Sequence, residues 1–347
     1  MSISPRVAMA TIPSADQFTG CLLGLALGDA LGAPVEAFPP EEATRYVDRL
    51  SETLAPEPGP GGRAFGQVTD DTQLARELLL TIADQGQFDP AAFAARILQF
   101  VASGRLVGGG PATLGAAKQL ALGIAWHDAG APAPYAGNGA AMRAGPLGLL
   151  YRRNPRHLTR VSVDQARVTH HDPRAIAGSV AIAWAVAIAS RREPVSPAAF
   201  LGEIADAMAP IDAGFAGTVS RVIDWCHLPP AAAVPAFAAQ GLEPDALAGW
   251  QGISSFVVSS VCWSLYAFLQ APDRFWDAVR VAIQVGGDTD TLAAMTGSIS
   301  GARLGGAGLP PILLGRLTDA GAWPADELAG LARRVHQLVA GGGAPLE

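Results

Sequence analysis

Asp89-Pro90-Ala91-Ala92-Phe93-Ala94-Ala95-Arg96-Ile97-Leu98-Gln99-Phe100-Val101 reads as the opening of an amphipathic helix. Asp89 is a capping type, whose carboxylate accepts the free N–H groups of a first turn. Pro90 fits the first helical position, where its missing N–H has no partner to lose. Phe93, Ile97, Phe100 and Val101 then recur at helical spacing. The same punctuation returns at Asn154-Pro155, Asp172-Pro173, Ser196-Pro197, Glu243-Pro244 and Ala271-Pro272, each taken as a helix start. Alternating β-branched runs are almost absent. The fold class expected is therefore all-α: a dozen or more helices joined by Gly- and Pro-rich loops.

The 347 residues are enough to bury a sizeable core, and 50% of them are hydrophobic against 16% charged, which excludes a disordered chain. A formal charge of −7 excludes a general nucleic-acid binder, since phosphate affinity needs concentrated cations. Cys21, Cys226 and Cys262 lack metal-ligand or disulfide spacing. Residues 175–190 and 253–270 are apolar, but the first is short and the second is broken by serines, so both read as core helices rather than membrane spans. A cytoplasmic monomer is expected. Residues 1–15 and 341–347 read as flexible tails around a single domain, 16–340. Segments 55–66 and 129–139 read as loops that rim a site.

Two acid–threonine clusters carry the chemistry. One is Gly66-Gln67-Val68-Thr69-Asp70-Asp71-Thr72; the other is Gly286-Gly287-Asp288-Thr289-Asp290-Thr291. Each opens an apolar helix, and one Asp would suffice to cap it. Two acids repel one another unless a cation or a helix N-terminus compensates. Hydroxyl and carboxylate oxygens are the donors that hard divalent ions prefer, and with no His present Mg²⁺ or Mn²⁺ suits them better than Zn²⁺. Such an acid-lined centre can hold two ions and activate water. In Gly24–Glu36, glycines at every fourth position permit close helix packing. Asp29 reads equally as a buried structural acid or a functional one, and Glu36, just past Pro34, as an acid at a cleft. Trp184, Trp263 and Tyr266 lie in apolar runs and read as core.

Five stretches, Gly20–Glu36, Gln67–Gln73, Gly137–Gly148, Thr169–Ala183 and Val285–Gly305, resemble the ADP-ribosylglycohydrolase family in order and content. The resemblance implies an all-α bundle with two divalent cations, Mg²⁺ or Mn²⁺, in a central cleft. Thr69, Asp70, Asp71, Asp288, Asp290 and Thr291 are then the metal ligands, with Glu36, Asp71 and Asp290 the catalytic acids. Gly137, Asn138, Gly139, Ala140 and Met142, with Gly110 and His170, are the ADP-ribose-binding residues, and Tyr135 is placed to stack on adenine. The implied activity releases ADP-ribose from a modified protein side chain, arginine ahead of serine. One departure stands out: Val107–Thr113 has no acid where arginine-specific relatives carry one that could hold a guanidinium. The alternatives are a non-catalytic relative and a toxin-antagonising one. A further rival is an HD-type phosphohydrolase built on His171-Asp172 and His157.

Overall fold

The computed structural model describes residues 11–53, 65–240 and 250–341. The expectations for residues 55–64, for Glu243-Pro244 and for most of both tails lie outside these. Among the described residues there are sixteen α-helices and no strand. Capping follows the punctuation of the sequence. Asp89 accepts from Ala91 and Ala92 at the start of α4 (Pro90–Ala102), Asn154 from His157 at α7 (Pro155–Arg167), and Asp172 from Arg174 at α8 (Pro173–Ala189). Ser196 does the same for α9 (Pro197–Met208).

Ala271-Pro272 is a correction. Ala271 ends α12 (Val257–Gln270), and the next helix, α13 (Phe275–Ile283), starts three residues after Pro272. Alanine has no side-chain oxygen to cap a helix, so the proline terminates one rather than opening one.

The centre of the molecule is an antiparallel pair, α1 (Ala15–Gly32) and α14 (Thr289–Leu304). Gly20, Gly24, Gly28 and Gly32 fall on one face of α1, four residues apart. A Cβ on these would meet the backbone oxygens of Gly301, Gly297, Ala293 and Thr289 respectively. The contact is reciprocal, since Gly297 and Gly301 face the oxygens of Gly24 and Gly20. Backbones thus touch directly along the seam.

The rest of α1 is apolar all round and is covered by α3 (Asp70–Gln85), α6 (Gly145–Tyr151) and α16 (Ala325–Ala340). By length and composition Ala15–Val35 would pass for a membrane span, yet 94% of its apolar window is buried inside the protein, as a core helix requires. The two apolar stretches flagged in the sequence are α8 and α12, also buried. Trp263 and Tyr266 sit in the core on α12, while Trp184 is half-buried and donates its indole N–H to Thr159. At the other end of the chain, Pro13 is buried, Ser14 caps α1, and Thr11 accepts from Arg152.

Candidate active site

The two acid–threonine clusters meet. Thr69 caps α3, so Asp70 and Asp71 lie in its first turn; Asp288 precedes α14, so Asp290 and Thr291 lie in its first turn. Both helix N-termini aim partial positive charge at the acids, which is why acids are tolerated there. Thr291 Oγ1 lies 3.4 Å from Asp71 Oδ2, joining the clusters directly. Glu36 follows the 3₁₀ turn Ala33–Val35 that ends α1, and its carboxylate lies within 4.8 Å of those of Asp288 and Asp290.

Backbone pairing holds these loops in place. Ala37 N–H donates to Gly287 O and Gly287 N–H to Phe38 O, tying the Glu36 turn to the second cluster. Gly286 and Gly287 adopt φ of +70° and +81°, and a Cβ on either would strike backbone, so glycine is required at both. Asp288 N–H donates to Ile253 O, and Asn138 N–H to Ser255 O.

Asp29 is fully buried beneath the first cluster. It accepts from the backbone N–H and hydroxyl of Thr69 and of Thr72, at 2.5 to 3.2 Å. It is therefore an organiser of the acidic turn. By taking the Thr69 hydroxyl proton it leaves that oxygen's lone pairs to accept from the Asp71 N–H, 3.4 Å away, as the cap of α3.

A cavity of about 240 Å³ opens over the acids. Its walls include Glu36, Asp70, Asp71, Asp288, Asp290 and Thr291, and the substrate-binding residues expected from sequence: Gly110, Gly137, Asn138, Gly139, Met142 and His170. Two expected residues stand behind the wall. Thr69 is buried against Asp29, and Ala140 is fully buried, its carbonyl accepting from Gln165. Asn138 does more than line the cavity: its amide donates to Asp288 Oδ2 at 2.6 Å, fixing that carboxylate. Trp250 and Ser255 also line the cavity and have no motif to announce them. Tyr135 lines it with its ring tilted 39° to that of His170, 6.1 Å between centroids.

Electrostatics set this site apart from ordinary caps. Burial, then the charge of Asp29, pushes Asp70 up to about 7; burial pushes Asp288 up to about 6. Asp71 is held well above the usual carboxylate range by burial and by Asp29 and Asp70, and Asp290 by burial, Glu36 and Asp288. Among the described residues no Lys, Arg or His forms a salt bridge with these four aspartates. Asp71 Oδ1 is buried with no hydrogen-bond partner at all. An orphaned carboxylate oxygen amid repelling acids is relieved by a hard cation, so the donor set fits a divalent metal.

This helical frame, with its facing acidic helix starts, matches a family model described as ADP-ribosylglycohydrolase over residues 10–345. The chain belongs to the ADP-ribosylglycohydrolase family. An ADP-ribosylarginine hydrolase Tri1 of Pseudomonas putida is 29% identical over 85% of this chain and 72% of its own. Human ADP-ribosylhydrolase ARH3 is 30% identical over 84% of this chain and 86% of its own. A solved ADP-ribosylglycohydrolase-related protein complex superposes with a TM-score of 0.67 at 28% identity, over 93% of this chain and 98% of that one. As a member of the family the chain has its His171-Asp172 pair explained without metal: Asp172 caps α8 and pairs with Arg174 at 2.9 Å, and His157 stacks on Tyr151.

Proposed function

We propose that this ADP-ribosylglycohydrolase relative hydrolyses the bond between C1″ of an ADP-ribosyl group and a protein side chain, releasing ADP-ribose, with two Mg²⁺ or Mn²⁺ ions at the acidic centre. The observation that carries the reading is the convergence of Glu36, Asp70, Asp71, Asp288 and Asp290 on one cavity, with Asp71 Oδ1 unpartnered. Bound there, the cations would polarise ribose oxygens and favour ionisation of an attacking water. Thr69, Asp70, Asp71, Asp288, Asp290 and Thr291 would hold them, and Asn138 keeps Asp288 in place.

The chain's own residues supply the rest. Glu36 is the least buried acid of the cluster, reachable by water at the cavity, and takes the proton of the attacking water. The carboxylates also offset the positive charge that develops at the anomeric carbon. Gly108, Gly109, Gly110, Gly137 and Gly139 put no side chain between their backbone and the cavity, which suits close approach to a diphosphate. The rings of Tyr135 and Trp250 suit an adenine.

Arginine is placed ahead of serine as the acceptor, supported by the name of the Pseudomonas putida relative. Gly108–Thr113 opposes this preference, since it lines the cavity without an acid. Incubation with arginine-, serine- and nucleic-acid-linked ADP-ribose, with and without Mg²⁺ or Mn²⁺, tests both points. Metal-dependent release from a protein side chain is expected, and full activity after exhaustive chelation would exclude the reading. Glu36→Gln is expected to lower kcat by about 100-fold or more while ADP-ribose still binds in calorimetry.

A further inference from the structure

His170 is buried at one wall of the cavity, its ring edge against Gly137 and Gly139. Its Nδ1 lies 2.8 Å from Thr169 Oγ1. That hydroxyl is in turn 2.8 Å from Arg143 Nη2. Arg143 is fully buried with no carboxylate in salt-bridge range among the described residues. It is held by Gln165 Oε1, Gln165 O and Gly139 O, and lies over the Phe93 ring.

We infer that Thr169, held by Arg143, locks His170 as the Nε2–H tautomer, so that it presents the cavity with a hydrogen-bond donor and not a base. A guanidinium only donates, so Thr169 Oγ1 accepts from Arg143. The threonine's own proton then has one acceptor on hand, His170 Nδ1. The opposite tautomer would aim two donors at the hydroxyl oxygen and leave its buried proton with none. With Nδ1 accepting, the ring's hydrogen sits on Nε2, for which the described residues offer no acceptor. Burial and the Arg143 charge, with a smaller push from His171, also hold His170 down to about 3 against the opposing effect of Asp172, so the ring stays neutral.

The ligand atom beside His170 is therefore an acceptor, a phosphate or ribose oxygen, and an ammonium is disfavoured there. Thr169 and Arg143 are positioning residues that act through the imidazole. The ligand half of this inference rests on the proposed function; the tautomer does not.

Nitrogen-15 NMR of the full chain, with His170→Gln to assign the ring, reads the tautomer directly without ligand. Expected is a protonated Nε2 and an unprotonated Nδ1, unchanged from pH 5.5 to 8. In Thr169→Val the ring is expected to become a tautomer mixture. ADP-ribose affinity with Mg²⁺ present should fall about tenfold while Mg²⁺ affinity alone holds. Thr169→Ser should restore both. An Nδ1–H ring in the unmodified protein overturns the inference, as does wild-type tautomer and affinity in Thr169→Val. Should the valine variant not fold, the unmodified spectrum and Thr169→Ser decide. Absent ADP-ribose binding alongside an Nε2–H spectrum leaves the tautomer standing and removes the functional reading instead.

Discussion

Asp290 and Asp71 are carboxylates that folding alone would not choose. Thr69 caps α3 and Asp288 makes no side-chain cap bond to α14, yet each start holds two acids, buried and mutually repelling. Asp290→Ala is expected to cut turnover by two orders of magnitude or more. The chelated protein's Tm should hold or rise, because a buried carboxyl crowded by Glu36 and Asp288 has gone. A fall in Tm with activity intact in the folded fraction would make Asp290 a cap. Asp29→Ala behaves oppositely: it strips the acceptor from the buried N–H groups of Thr69 and Thr72, at about 3 kcal/mol, read by denaturant unfolding.

At this scale the sequence was readable where it was wasteful. Two acids beside each N-terminus exceed what capping uses, so they stood out. Asp29 sits inside a helical run, and nothing local says which turn it will serve. Trp250 belongs to no pattern. Ala140 shares a motif with Asn138, but which of the two faces the cavity depends on Gln165 reaching the Ala140 carbonyl from α7.

Helices were legible from their starts, because a capping residue followed by proline is a local signal. Ala271-Pro272 misled because proline marks ends as readily as beginnings. The glycines of α1 announced a close contact, but not its partner, which lies more than 250 residues away on α14. That contact makes a demand on the element as a whole. Gly24→Val would drive a side chain into the Gly297 carbonyl, and the two helices would have to separate. The expected cost is about 3 kcal/mol, the upper part of the range for overpacking, seen as a lowered Tm. Gly115 on α5 (Pro111–Ala121) has open space around it and serves as the control: Gly115→Ala should leave Tm unchanged or slightly raised.

Over the whole molecule, the acidic centre is expected to make stability depend on pH and metal together. In the metal-free fold Asp71 and Asp290 keep their protons well above the usual carboxylate range, Asp70 to about 7, Asp29 and Asp288 to about 6. The unfolded chain releases them near 4. The folded state therefore binds more protons in between, and this stabilisation is lost as pH rises through the folded values. His170 works in the other sense, but only below its unfolded value of 6.5. The chelated protein's Tm is accordingly expected to rise as pH is lowered from 8 to 6.5. With saturating Mg²⁺ the trend should reverse, since protons and cations compete for the same oxygens. Calorimetric scans at several pH values, with EDTA or with Mg²⁺, check the sign of both slopes.

The seam between α1 and α14 also governs how this protein would wear out. Glu36 hangs from the last turn of one helix and Asp290 from the first turn of the other, so their spacing is set by backbone touching backbone. The glycines that make that seam have no side chain that could stretch, rotate or repack to let the helices slide a little while the acids stay together. Heating should then produce no half-working form: residual activity and remaining native signal are expected to fall along one curve, and cooling to recover both or neither.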